Sequence, residues 1–239
     1  MFGNNGIHLY FCMKIFRNLY KMAILSSSIA KKVAMALSGL FLVIFLLQHM
    51  LVNLTAVIDA NTFNEFSHFM GTNTIVQFIL QPILMLGFIF HFVMGIILEI
   101  QNNKARNIKY NTYKGNRNSS WASRNMILTG LVVLAFLGLH LYDFWFPEIN
   151  YKFIQSNPED VTRYYPHLLD KFENPVRVGI YVIAFILLMA HLWHGFSSSF
   201  QSLGWNNRYS RALRGFTRFY AVAVPLGFIF IAIYLHLNQ

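Results

Sequence analysis

Five of the nine histidines, His49, His91, His140, His191 and His194, lie inside long apolar stretches. An ionisable side chain is costly there and marks a functional position by default. A lone membrane histidine can instead serve as a hydrogen-bond partner between helices. Four separate stretches that each carry one, at depths that match in pairs, ask for a shared explanation. His49 lies 17 residues beyond Lys32 and His140 lies 16 beyond Arg124, roughly 25 Å at the helical rise. His91 lies ten residues before Gln101 and His191 ten before Gln201, roughly 15 Å. The spacing therefore predicts two levels, His49 with His140 and His91 with His191.

Two imidazoles at one depth on facing helices suit the axial ligation of haem iron from both faces of the porphyrin. A zinc or copper site would gather three or four ligands at one depth. The single cysteine, Cys12, cannot hold an iron–sulfur cluster or a structural zinc by itself, and no disulfide can form within the chain. His91 and His191 each begin an H-x-x-x-G pattern, with Gly95 and Gly195. A glycine one turn along the same face leaves room for a flat macrocycle, or serves ordinary close helix packing. His194, three residues after His191, is the alternative ligand in its stretch, or a propionate or packing partner. His8, His68, His167 and His236 read as surface residues of termini and loops. Haem propionates want cationic or hydroxyl partners; Arg124, Lys31 and Ser38 are placed to reach them, or act as topology charges and a packing hydroxyl. Glu65 and Asp143 lie near the opposite ends of their stretches. A carboxylate beside a quinone can move protons; otherwise these are solvated loop acids.

The elements that position these residues follow from composition. Of 239 residues, 56% are hydrophobic and 12% charged, where a soluble chain carries roughly 25% charged. With 24 Phe and 12 Tyr, this is an all-α integral membrane composition. Disorder, a coiled coil and a disulfide scaffold are excluded. Five stretches reach the roughly 20 residues that a spanning helix needs: Val33–Leu54, Ile75–Gln101, Met126–Phe146, Val176–Phe200 and Phe219–Leu237. The segments between them read as polar connections, and no internal repeat is read. Fifteen of the nineteen Lys and Arg fall before the first stretch or in the second and fourth connections. The remaining four, Lys152, Arg163, Lys171 and Arg177, fall on the other side with eight of the nine acids. The positive-inside rule then sets the N-terminus in the cytoplasm and the C-terminus outside. The net charge of +10 is thereby accounted for without nucleic acid. Residues 1–28 read as an N-terminal cytoplasmic segment, in which Met22 is an alternative start, and residues 29–239 as a five-helix dihaem membrane domain.

At these residues the chain resembles the cytochrome b membrane-anchor subunit of succinate:quinone oxidoreductases, the succinate dehydrogenases and fumarate reductases, of the single-chain, five-helix, two-haem type. SGLFLVIFLLQHM around His49, HFVMG at His91, TGLVVLAFLGLHLYDFW at His140 and HLWHGFSSSFQSLGW at His191 carry the resemblance, which covers roughly Ser26 to Leu237. It implies two b haems, the proximal one on His91 and His191 and the distal one on His49 and His140. It implies a flavoprotein with FAD and an iron–sulfur subunit as partners, since this chain has neither a dinucleotide-binding glycine motif nor a cysteine set. It also implies a quinone, usually menaquinone, as substrate, a bacterial cytoplasmic membrane location, and room for a dimer of the whole complex. Glu65 matches in position the family's carboxylate near the quinone. Two rival readings share the histidines: the cytochrome b subunit of a hydrogenase or formate dehydrogenase, and a haem-free transporter with proton-relaying histidines. Pro82 and Pro225 interrupt two spans as a transporter's broken helices do, but no repeat relates those spans.

Overall fold

A computed structural model of the chain describes residues 27–104, 124–205 and 210–238. Among them there is no strand, and five helices are long and apolar enough to cross a membrane. We number the helices α1 (Ser28–Ile58), α2 (Ala60–Thr72), α3 (Val76–Lys104), α4 (Met126–Ile154), α5 (Tyr164–Glu173), α6 (Pro175–Ser202) and α7 (Ser210–Leu237). Helices α1, α3, α4, α6 and α7 are the five spans; α2 and α5 are short helices in the connections.

Local sequence sets the helix starts. Ser27 Oγ accepts the Ala30 N–H at 3.5 Å. Asn174 caps α6 by accepting from Val176 N at 2.8 Å, with Pro175 in the first turn, where its missing N–H costs nothing. Asp59 caps α2 through Thr62 N at 2.7 Å, and that backbone hydrogen bond holds its carboxyl below the ordinary carboxylate value.

The core is carried by α6 and α7 packed along their length, closed by α1. Tyr181, Phe185, Val224, Phe228 and Ile231 fill it. The Tyr220 hydroxyl donates to the Val43 carbonyl and ties α7 to α1. By contrast α3 leans on α1 and α4 on α6, while α3 and α4 touch each other little. The outward faces carry exposed Ile44, Leu51, Leu86, Ile183 and Leu226, as spans facing lipid do.

Two span boundaries and the nature of the connections differ from the sequence reading. The fifth span begins at Ser210 rather than Phe219, because its first turns are amphipathic. Arg211, Arg214 and Arg218 are exposed there while Ser210 and Thr217 are buried. The third span runs on past Pro147 to Ile154. The wide turns Leu141–Trp145 and Asn150–Ile154 absorb what the proline would otherwise break. The connections are also not plain loops, since they hold α2 and α5.

Candidate cofactor site

The site begins with a serine and a threonine. Ser38 on α1 gives its only hydroxyl proton to the Met35 carbonyl at 2.9 Å, a common helical back-bond. Its oxygen lies 3.1 Å from Nδ1 of His91 on α3. With that proton given to Met35, the hydroxyl oxygen is an acceptor for His91 in the ring's Nδ1–H tautomer. The lone pair of His91 is then on Nε2. The same arrangement recurs between α4 and α6. Thr129 donates to the Asn125 and Met126 carbonyls at 3.1 and 3.0 Å and lies 3.3 Å from His191 Nδ1. In that tautomer each imidazole carries its lone pair on Nε2, the form a metal takes.

The recurrence is written in the sequence. Met-Ala-Leu-Ser-Gly-Leu at 35–40 and Met-Ile-Leu-Thr-Gly-Leu at 126–131 stand 91 positions apart, and at that same spacing Phe45 matches Phe136 and His49 matches His140. The pattern M-x-L-[S/T]-G-L-x4-F-x3-H therefore occurs twice, on two spans that run in the same direction. The structure corrects the reading that the chain holds no repeat. A Cβ on Gly39 would come 3.3 Å from His91 Cε1, and one on Gly130 3.3 Å from His191 Cε1. The glycine that each ring edge meets is the one beside the hydroxyl residue. Gly95 and Gly195 of the H-x-x-x-G motifs face the repeat's methionines instead, with Met35 Cε 3.6 Å and Met126 Cε 2.9 Å from the Cβ positions they would carry.

The last residue of each repeat forms a second tier. His49 and His140 meet edge to face, ring centres 5.6 Å apart. Phe45 stacks on His49 at 5.4 Å, and Phe136 lies 5.9 Å from His140. His140 Nδ1 is buried and has no hydrogen-bond partner. Eleven residues separate Ser38 from His49 and Thr129 from His140, so the tiers stand about 16 Å apart along the helices. Counting from helix edges gave about 10 Å, because the two edges used were not equivalent positions. Lys31 Nζ meets Gln101 Oε1 at 3.3 Å and fixes which ends of α1 and α3 lie together.

All four histidines, with His194, Gly39, Gly95, Gly130, Gly195 and Arg124, line one cavity of about 2930 Å³ between α1, α3, α4 and α6. A drug-sized ligand site holds at most about 1,000 Å³, so this cavity has the size for more than one large ligand. The donor set suits iron porphyrin. Imidazole nitrogen is a ligand of haem iron, and His49 and His140 face each other across the cavity with ring centres 5.6 Å apart. The free Nε2 lone pairs and the glycine cradles fit the same group.

Other expected residues fall differently. The Ser38 hydroxyl engages His91. Lys31 lies at the Gln101 end, away from the His49 tier. Glu65 is exposed on α2 and is not part of the cavity wall. Asp143 is not a solvated acid: it is 1% exposed, accepts from Arg177 Nη1 at 2.6 Å and from the Tyr181 hydroxyl at 2.8 Å. Pro147 lacks the N–H that would bond the Asp143 carbonyl four residues back. That carbonyl accepts His167 Nε2–H at 2.9 Å instead. His167 also lines the cavity, His236 donates from Nδ1 to the Phe172 carbonyl at 2.8 Å, and His68 Nδ1 is buried without a partner. None of these three is the free surface residue expected; His8 lies outside the described residues.

Sequence reasoning missed the polar end of the cavity remote from Lys31. Glu148 holds both Lys152 and Arg163 at 2.5 Å. Lys152 also donates to the Gly71 carbonyl. The Arg163 guanidinium lies 4.1 Å over the Tyr151 ring and 4.2 Å over Tyr164. Burial, with the nearby Glu148 charge, pushes the Tyr164 hydroxyl up to about 12. The signal available was the i, i+4 spacing of Glu148 and Lys152. The chain matches no protein-family model, no curated protein and no solved structure.

Proposed function

We propose that this chain is the membrane-anchor and electron-transfer subunit of a succinate:quinone oxidoreductase. In this reading it carries electrons between an iron–sulfur partner and a membrane quinone, through two b haems held by paired histidines. The observation that carries the reading is the repeat-built cavity, in which each tier draws one histidine from each half of the chain. His49 and His140 would hold one iron and His91 and His191 the other. A bound haem supplies a one-electron iron couple; the protein fixes its orientation and sets its surroundings.

The chain's own residues have defined parts. Phe45, Phe136, Phe144 and Phe228 pack around the His49 and His140 rings and keep water from them. Gly39 and Gly130 let the His91 and His191 rings approach the backbone. Arg124, on the cavity wall, suits an anionic propionate. Menaquinone is the quinone that the family resemblance favours, and a flavoprotein carrying FAD completes the complex. The charge asymmetry favours an N-terminus inside, and the family resemblance favours a bacterial cytoplasmic membrane.

The test is a reduced-minus-oxidised absorption spectrum of the purified chain with haem counted per polypeptide. Two b-type haems per chain are expected. His49→Ala or His140→Ala should each remove one, and His91→Ala or His191→Ala the other. Co-purification of a flavoprotein and an iron–sulfur subunit, with succinate-driven quinone reduction, separates this complex from other cytochrome b partners. A haem-free chain from cells supplied with haem would overturn the reading.

A further inference from the structure

We infer that Ser38 and Thr129 are positioning residues. They lock His91 and His191 in the Nδ1–H tautomer and, by accepting that proton, bias the iron these histidines hold toward its oxidised form. The second part rests on the haem reading above; the first does not.

The geometry is specific. A serine or threonine hydroxyl has one proton to give. Each has a carbonyl of its own helix within reach for that proton, Met35 for Ser38 and either Asn125 or Met126 for Thr129; the Met126 carbonyl also hydrogen-bonds His191 and holds the same ring proton as Thr129 does. Reversing the bond to the histidine would strand those back-bonds and move the imidazole proton to Nε2, facing the apolar cavity. The glycine beside each hydroxyl residue brings the helix within reach of the ring, 3.3 Å from the Cβ position to Cε1 in both halves. The two repeat halves hold the same arrangement. The His49 and His140 tier has no such hydroxyl, and His140 Nδ1 is buried without a partner.

An acceptor on the second imidazole nitrogen raises the basicity of the ligating one. A more basic ligand favours the higher oxidation state. Ser38→Ala or Thr129→Ala should therefore raise the midpoint potential of one haem and leave the other in place. The shift reads directly as the change in preference between oxidised and reduced iron, a tenfold change being about 59 mV for one electron.

Two measurements test this. The first is nitrogen-15 NMR of histidine-labelled, haem-free chain in micelles. His91 and His191 should both read as Nδ1–H, and each Ala variant should move its own histidine toward the other tautomer. The second is a redox titration of the haem-loaded chain, with Ser38→Thr and Thr129→Ser as conservative variants that retain the wild-type potential. The unaltered His49–His140 haem reports that each variant is folded. Nε2–H in the wild type overturns the inference whether or not haem binds. Unchanged potentials in both Ala variants, with two haems bound, overturn its redox part and leave the haem reading standing. A wild type without haem defeats that reading instead, and the NMR result then decides the tautomer lock by itself.

Discussion

Asp143 offers the most quantitative test of how the far end of the bundle is held. Its carboxylate is 1% exposed, 2.6 Å from Arg177 and 2.8 Å from the Tyr181 hydroxyl. The Arg177 side chain is 30% exposed. Removing one partner of a fully buried ion pair costs about 3–5 kcal/mol, because the other charge is left uncompensated. The two removals should not cost the same. Asp143→Asn leaves a cation that can still reach solvent or headgroups, so the loss should fall to about 2–3 kcal/mol. Arg177→Met leaves a carboxylate with only one hydroxyl in a closed site, at the upper end, about 4–5 kcal/mol. Combining the two removes both charges, and the double variant should lose less than Arg177→Met alone. Unfolding in mixed micelles, followed by far-ultraviolet circular dichroism, gives the three values and the coupling of the cycle. The account is refuted if Asp143→Asn costs as much as Arg177→Met, or if the two losses simply add.

Further predictions follow from the same contacts. Gly39→Val and Gly130→Val put carbon within 3.3 Å of a histidine ring carbon. Each should displace its ring and reduce haem content by one per chain, read by the pyridine haemochrome assay, while Gly179→Ala, where nothing lies near, should leave haem content unchanged. Tyr164 keeps its proton in the folded protein up to about 12, against about 10 unfolded. The contribution is therefore complete below about 10 and lost as pH rises through about 12; thermal melts should show Tyr164→Phe losing less stability across that window than the wild type.

The spans were legible because eighteen-residue windows of high mean hydropathy with at most two charged side chains leave few alternatives. The histidines were legible because few other ionisable side chains share those runs, although His191 and His194 share one. What escaped was whatever depended on the two faces of a helix. Arg211, Arg214 and Arg218 lower the average hydropathy of α7's first turns, yet all three point outward, and Arg218 rests 5.5 Å from the Trp193 ring centre. Pro147 looked like a stop because it breaks the local ladder; the wide turns around it carry the helix on. The ion pair of Asp143 with Arg177 joins residues 34 positions apart, and no spacing rule ties them. The repeat was present in the letters all along. It was hidden because only two of its six leading positions, Met and Gly, are chemically unusual in an apolar run, and Ser38 is exchanged for Thr129.

That exchange also explains how the halves relate. In each half the hydroxyl and the terminal histidine stand on one helix, and the histidine bonded to the hydroxyl stands on the next. Ser38 therefore serves His91 within its half, whereas His49 meets His140 across the halves. The first contact sets an imidazole's tautomer and needs one hairpin. The second creates a pair and needs both. A lone hairpin could present lone pairs at two heights but could not face either with a second imidazole. Pairing two hairpins whose first helices run in the same direction puts equivalent residues at equal heights, and two tiers follow without any further sequence change. The tiers then differ only in what each half already supplied: hydroxyl acceptors at the Ser38 level, and phenylalanine rings around His49 and His140.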